Sequence, residues 1–194
     1  MSNETKKYEF TGETKQIQSG ERTVTLHRIR ALRDMPIIDV KKGDLGGWLE
    51  SEKNLSHDST SWVSGEAQVF DKALVFGEAQ VLNEALVFDE AQVFGKAWVF
   101  GKAWVFDEAQ VLNEAQVFDK ALVFGEAQVF NKARVFDEAL VFGEAQVSDE
   151  AWVYGEARVY DKARVYDEAR VYGEAQVGGV MCVGEGFVYK WRRK

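Results

Sequence analysis

A six-residue period is the dominant feature of this sequence. Residues 59–178 form twenty consecutive hexads of the type [Gly/Asp/Asn]-[Glu/Lys]-Ala-x-Val-[Phe/Tyr]. The fifth position is Val in all twenty hexads, and the third is Ala in nineteen, with Ser61 as the exception. A period of six does not match the 3.6-residue repeat of a helix. The repeat therefore excludes a helical reading of most of the chain.

Each hexad is predicted to form one short strand and one bend. Ala and Val lie two positions apart, so an extended backbone places them on one side and x on the other. Gly, Asp and Asn tolerate the left-handed backbone conformation that a corner requires. A strand this short cannot bury its apolar side alone, so successive hexads must stack. The pattern predicts an all-β fold, a parallel β-solenoid with a narrow core of Ala and Val.

The repeat resembles the hexapeptide repeat of single-stranded left-handed β-helices, in which three hexads make one coil. Residues 42–56, KGDLGGWLESEKNLS, followed by the hexads, are similar to the YdcK-like hexapeptide proteins, many of them encoded by prophages. This resemblance implies a left-handed coil, a triangular cross-section and a phage or prophage origin. It implies no defined molecular function.

The two ends of the chain are predicted to cap the coil. Residues 7–10 and 23–32 have strand-like patterns separated by a polar turn at Gly20, which indicates a β-hairpin. After the repeats, bulkier side chains suited to closing the prism follow: Val180, Met181, Val183 and Phe187. The predicted organisation is an N-terminal capping region at 1–58, the β-helix at 59–178, and a C-terminal cap with a basic tail at 179–194.

Charge and composition restrict the class of partner. Lys and Arg number 24 against 32 Asp and Glu, and the net charge of −8 disfavours direct binding of nucleic acid or an anionic membrane. No run of about eighteen apolar residues is present, so no membrane span is expected. The single cysteine, Cys182, fits a reducing, cytoplasmic compartment, and its apolar surroundings predict a buried, inert thiol. Neither a metal nor a cofactor is predicted.

Catalysis is the main alternative function. Hexapeptide-repeat enzymes are commonly acyltransferases, and the resemblance to them implies a histidine base between the subunits of a trimer. This chain has two histidines, His27 and His57, and both precede the regular repeats. The hexads also leave no loop to hold a cofactor. We therefore expect a non-catalytic scaffold, with an active or degenerate acyltransferase relative as the alternative.

A column of apolar x residues is the first candidate interaction site. With three hexads per coil, residues eighteen apart share a face. On the second face this places four apolar residues in one line, here called the second-face column: Leu86, Trp104, Leu122 and Leu140. Lys102 and Lys120 flank it, balanced by Glu84 and Glu138. A continuous apolar column predicts an interface with a protein partner or a second copy, a dimer rather than a trimer. The alternative is neutral variation among strand-forming side chains.

A run of carboxylates beside the third face is the second candidate. The run, here called the acidic column, has no lysine or arginine among its members: Asp89, Glu90, Asp107, Glu108, Glu126 and Glu144. Like charges one strand spacing apart repel each other. The two interpretations are a solvated face that aids solubility and an acidic mimic of nucleic acid.

The residue after Val admits two placements. It is Phe eleven times, Tyr four times and Leu twice. Strict alternation places it outside with x, where the rings would stack in ladders along the corners. A bend before this residue would instead place it inside. Stacked ladders are favoured because a core of Ala and Val is already full.

Overall fold

The computed structural model describes residues 6–189 and is an all-β parallel solenoid of about eight turns. Within that range the helical elements are two 3-10 helices, Pro36–Ile38 and Glu52–Asn54. None of the described helices has the length and apolar character needed to cross a membrane.

Three strands precede the repeats: β1 (Tyr8–Ser19), β2 (Arg22–Ala31) and β3 (Leu45–Leu49). The first two form an antiparallel hairpin whose turn contains Gly20 at a φ of 57°. Strand β3 pairs antiparallel with β2 on one side and parallel with the solenoid on the other. The hairpin therefore extends one face of the solenoid.

The solenoid has three faces, each a parallel sheet with one strand per coil. The first face contains β4 (Trp62–Val63), β7 (Gln80–Val81), β10 (Trp98–Val99), β13 (Gln116–Val117), β16 (Arg134–Val135), β19 (Trp152–Val153), β22 (Arg170–Tyr172) and β25 (Phe187–Tyr189). The second continues from β3 through β5 (Gln68–Val69), β8 (Leu86–Val87), β11 (Trp104–Val105), β14 (Leu122–Val123), β17 (Leu140–Val141), β20 (Arg158–Val159) and β23 (Gln176–Val177). The third contains β6 (Leu74–Val75), β9 (Gln92–Val93), β12 (Gln110–Val111), β15 (Gln128–Val129), β18 (Gln146–Val147), β21 (Arg164–Val165) and β24 (Cys182–Val183).

The pairing register follows the sequence period. Trp104 pairs with Leu86 on one side and with Leu122 on the other, eighteen residues away in each direction. Its N–H donates to the carbonyl of Ala121 in the next coil at 3.0 Å. The predicted columns of residues eighteen apart are confirmed.

The core is a column of Ala and Val along the axis of the prism. Side chains at these two hexad positions are buried throughout the repeats, from Val63 to Val177, and most x side chains are partly or fully exposed. Trp62 is an exception at x, because the ring of Tyr8 from the hairpin lies 6.4 Å from it. The predicted orientation of Ala and Val inward and of x outward is confirmed.

The corners depend on a positive φ at the first hexad position. Asp107 and Asn113 have φ values of 57° and 62°, in the left-handed region where their short polar side chains are tolerated. Asp107 Oδ2 also accepts the N–H of Gly125 in the next coil at 3.0 Å. The corner aspartate therefore forms the bend and also links it by a hydrogen bond to the next coil.

The aromatic rings after Val stack along the corners, as predicted. The longest ladder runs beside the second face with centroid separations of 4.9–5.4 Å and near-parallel rings: Phe70, Phe88, Phe106, Phe124, Phe142 and Tyr160. Most of these rings are half-buried, because neighbouring rings in the ladder shield them from water. They add apolar surface outside the narrow core.

Backbone carbonyls at the N-terminal end of the first coil accept hydrogen bonds from residues that precede the repeats. The donors are backbone N–H groups, an amide side chain and an ammonium group: Trp48 to Ala67, Glu50 to Val69, Ser56 to Val75, Asn54 Nδ2 to Ala73, and Lys7 Nζ to Ser61. This end of the coil is therefore hydrogen-bonded within the chain.

The C-terminal end differs from the sequence expectation. Val180, Met181 and Phe187 are exposed rather than closing the prism. The prediction that Cys182 is buried is wrong: it pairs with Arg164 at the x position, and x points outward. The predicted basic tail, residues 190–194, lies outside the described range.

Candidate functional site

The second-face column is continuous in the structure. Leu86, Trp104, Leu122 and Leu140 lie on four adjacent strands, β8, β11, β14 and β17, each paired with the next. Trp104 is 42% exposed, and the three leucines are half-buried. The parallel register holds the side chains about 4.8 Å apart along the sheet. The predicted residues thus form one strip centred on the indole.

The lysines beside this strip are neutralised by neighbours in the same corner. Lys102 Nζ lies 3.4 Å from Glu84 Oε2, and Lys120 Nζ lies 2.8 Å from Glu138 Oε1. The hydrogen bond between Lys120 and Glu138 raises the pKa of the ammonium group and lowers that of the carboxylate. All four side chains are solvent-exposed, so these pairs set local charge balance more than stability.

The opposite edge of the strip is aromatic. The residues at x do not predict this edge, because the rings occupy the sixth hexad position. The half-buried rings of Phe88, Phe106, Phe124 and Phe142 follow the column strand by strand. The indole of Trp104 meets the ring of Phe88 edge-on, with centroids 6.2 Å apart and planes at 74°. The apolar surface is therefore two columns wide. The sixth hexad position contained the signal for this second column.

A comparable indole lies on the first face, but the residues paired with it on the adjacent strands are polar. Trp98 is 41% exposed and pairs with Gln80 and Gln116. Its exposure matches that of Trp104, whereas its strand neighbours are polar. The exposed fraction of the indole therefore does not distinguish the two faces. The faces differ because the x residues next to Trp104 are apolar and form a continuous column.

The acidic column needs a correction. Its members lie at the corner between the second and third faces, and its two ends are paired: Glu90 with Lys72 at 2.6 Å and Glu144 with Lys162 at 3.4 Å. The expectation of six unopposed negative charges is therefore wrong, because a lysine from the coil beyond each end reaches back along the corner. Asp107 is also engaged, through its bond to Gly125. Among residues 6–189, Glu108 and Glu126 have no ion pair.

The two histidines lie in the N-terminal region. The ring of His27, on β2, lies 4.9 Å from that of Phe10. His57 stacks on Tyr8 at 4.2 Å, and its Nδ1 accepts the backbone N–H of Lys7 at 3.3 Å. Burial lowers the pKa of His57, opposed by the nearby charge of Glu52. In the described part of the chain, no group of three or more His, Cys, Asp or Glu is arranged to hold a metal ion.

Fold and surface together define a parallel β-solenoid whose second face carries four apolar x residues in one line beside an aromatic ladder. The family described as the YdcK beta solenoid repeat matches residues 163–179. That match and the observed solenoid are consistent with a YdcK-like repeat protein. No curated protein matches the chain.

Proposed function

We propose that this protein is a non-catalytic scaffold that binds a protein partner, or a second copy of itself, through the second-face column. The observation that supports this most directly is the continuity of four apolar x residues beside an aromatic ladder. Large exposed apolar patches are uncommon on soluble monomers and commonly mark interaction sites. The balanced charges of Lys102 and Lys120 lower the cost of removing water from the rim.

Trp104 is the proposed anchor of this interface. Buried tryptophans are among the side chains that contribute most to binding at protein interfaces. Trp104 lies near the middle of the column, and its indole is held against Phe88. A rigid, exposed indole loses little conformational entropy when a partner covers it.

A non-catalytic role is supported by the packing of the histidines. His57 has one ring nitrogen occupied by a backbone N–H and one face covered by Tyr8, and His27 lies against Phe10. Both contacts suit structural residues. The resemblance in sequence to prophage-encoded proteins supports a cytoplasmic host protein, including one of a defence system, as the partner.

The test is affinity capture from a bacterial host lysate with the wild type, Trp104→Ala and Gln110→Ala. Gln110 is the matched control, because it occupies the same hexad position on the third face and is half-buried. We expect Trp104→Ala to weaken capture or self-association about thirtyfold, equivalent to about 2 kcal/mol, with only a small decrease in melting temperature from the lost contact with Phe88. Equal binding by the three proteins would contradict the assignment.

A further inference from the structure

We propose that the partner of the second-face column is a second copy of this chain, packed face to face with the first and running in the opposite direction. This inference rests on the proposed function, because it uses the same surface, and it adds the occupant, the orientation and the register. In the dimer Trp104 of each copy lies against Arg158 of the other, and Leu122 lies against Leu140. The two-fold axis runs along the strands, midway between β14 and β17.

Two charged residues that continue the second face beyond the column are unpaired. Arg158, on β20, follows Leu140 at x, and its side chain is exposed. Glu156 is exposed at the second hexad position of the same coil. Across residues 6–189 neither forms an ion pair, and the guanidinium group of Arg158 lies over no ring. The matching groups, an exposed indole and an ammonium, are present on the same face in Trp104 and Lys102, so the face is complementary to itself.

The chain already contains the contact that we propose between Trp104 and Arg158. On the first face, Arg134 and Arg170 lie over the indole of Trp152, 5.2 and 4.7 Å from the ring centroid. A guanidinium stacked on an indole keeps its N–H donors free for water or other acceptors, so it can be covered at low cost. The x residues on either side of Trp104 are leucines. An arginine for this indole is therefore supplied by the other copy.

Charge placement favours the antiparallel orientation. Two identical faces can pack about a two-fold axis that runs along the strands or along the rod. An axis along the rod makes the copies parallel and places the charged second hexad position over the aromatic ladder. Glu138 and Glu156 would then lie against rings, whose negative faces repel a carboxylate. An axis along the strands makes the copies antiparallel, so that charged row meets charged row and ladder meets ladder.

The alternation of charge along the second hexad position then sets the register. With the axis midway between β14 and β17, Lys102 faces Glu156 and Lys120 faces Glu138, and symmetry repeats each contact. Because Lys120 also pairs with Glu138 of its own chain at 2.8 Å, the two copies share a cluster of alternating sign. At the ends of the overlap Glu84 faces the exposed Glu174, where water screens the repulsion.

Neighbouring registers are less favourable. An axis half a strand spacing nearer the N-terminus lies on β14 and places Lys120 against its own copy. An axis half a spacing the other way lies on β17, where it places Glu138 against its own copy and Leu122 under Arg158. In the proposed register the central contact is between leucines, and the arginine lies on the indole.

The N-terminal hairpin blocks a further register with matched charges. There the axis would lie midway between β8 and β11, and Lys120 would face Glu66. Glu66 already accepts hydrogen bonds from Arg28 Nη1 at 2.7 Å and from Trp48 Nε1 at 3.0 Å. Lys15 and Arg28 also lie over the ring of Trp48, 4.2 and 5.0 Å from its centroid. Side chains of the hairpin therefore cover this end of the second face.

The first experiment measures the mass of the full chain by sedimentation equilibrium over a wide concentration range. An interface of one face is small, so we expect a reversible dimer with a micromolar dissociation constant. Arg158→Glu should raise that constant about tenfold, because a carboxylate would replace the cation over the indole. Arg164→Glu is the matched control, since it makes the same charge change at an exposed x position on the third face. It should leave the equilibrium unchanged.

A charge exchange tests the register. Lys102→Glu and Glu156→Lys should each weaken the dimer severalfold by placing like charges together, and the double variant should restore it. Glu and Lys both occur at this hexad position throughout the repeats, so the variants should fold. A zero-length carbodiimide cross-link between Lys102 and Glu156 should appear in the dimer. Within one chain these residues are three coils, about 14 Å, apart, so this link can form only between copies.

The outcomes separate this inference from the proposed function. A monomer at every concentration would overturn the dimer, whereas the proposed function would survive if capture from the lysate still depends on Trp104. A dimer that both Trp104→Ala and Arg158→Glu leave unchanged would place self-association on another surface and also overturn it. A dimer that Trp104→Ala weakens, but that the charge exchange does not restore or in which Lys120 is joined to Glu156, would overturn the register.

Discussion

The ammonium nitrogen of Lys7 lies 2.5 Å from the carbonyl oxygen of Ser61, although both residues are fully buried. The same nitrogen lies 3.0 Å from the Ser59 carbonyl and 3.1 Å from the Ser61 hydroxyl. Ser61 is the one exception to Ala at the third hexad position. Its hydroxyl and the lysine therefore belong to one hydrogen-bonded cluster at the start of the coil.

This cluster predicts a dependence of stability on pH. Burial lowers the pKa of Lys7 from 10.5 to about 7, assisted by the charge of Arg33 and opposed by Asp58. Between these two values the unfolded chain binds a proton that the folded chain does not, so the free energy of unfolding should rise with pH. The slope for one proton is at most about 1.4 kcal/mol per pH unit. Chemical denaturation at intervals from pH 7 to pH 9 measures it.

Lys7→Met is the control for this titration, because it keeps an unbranched chain and removes the amine. The rise in stability between pH 7 and pH 9 should be lost in this variant. Burial raises the pKa of Tyr8 above its usual value, so stability should fall again above about pH 10 in both proteins. An identical rise in both proteins below pH 9 would show that Lys7 is not the titrating group.

The aromatic ladder should contribute measurable stability. Phe106 is stacked between Phe88 and Phe124 at 5.0 and 4.9 Å, whereas Phe130 occupies the same hexad position, is also half-buried and has no ring contact in the described part of the chain. Phe106→Ala should lower the free energy of unfolding by about 1–2 kcal/mol more than Phe130→Ala, since two ring pairs are lost. Urea denaturation of the two variants measures the difference. Equal losses would mean that burial alone, without stacking, accounts for the contribution of the rings.

Deletions should distinguish the effect of a shorter solenoid from the effect of moving its columns to another face. Removal of residues 107–124, one whole coil, should leave a shorter folded rod in which Leu86, Trp104 and Leu140 are adjacent on the second face, because neighbouring coils supply most contacts. Removal of the single hexad 107–112 should keep the β-structure but move every later column to another face. Circular dichroism checks folding, and the capture assay checks binding, which only the whole-coil deletion should retain. Loss of binding in both proteins would exclude the column as the contact surface.

The corner aspartates should resist replacement by residues that disfavour a positive φ. Asp107 has a φ of 57° and bonds the N–H of Gly125. Asp107→Ala should lower the free energy of unfolding by about 1–2 kcal/mol through backbone strain and the lost bond. Asp107→Asn should retain most of the stability, because Asn tolerates this conformation and its carbonyl oxygen can accept the same bond. Thermal denaturation of the two variants provides the comparison, and equal melting temperatures would argue against the corner role.

The regular features of this protein were predictable from the sequence because each is repeated. The six-residue period places Ala and Val in the core, Gly, Asp or Asn at the corners, and residues such as Trp104 and Leu122 side by side. In a solenoid each coil contacts its neighbours alone, so one local pattern specifies the register, the inward side and the ladders. The second-face column follows from this period, and its aromatic edge follows from the sixth hexad position beside it.

The ends and the charge pairs were decided by tertiary structure, because they depend on contacts that the period does not describe. Lys7 bonds Ser61 across more than fifty residues, and no local pattern indicates that a lysine would be buried there. Cys182 was predicted to be buried from its apolar neighbours, yet its position in the register places it outside. Glu90 and Glu144 pair with lysines of adjacent coils, Lys72 and Lys162, which lie eighteen residues away in the sequence. Repetition determines the interior of a solenoid, whereas its ends and side-chain pairings follow from which coil or segment lies next to them in space.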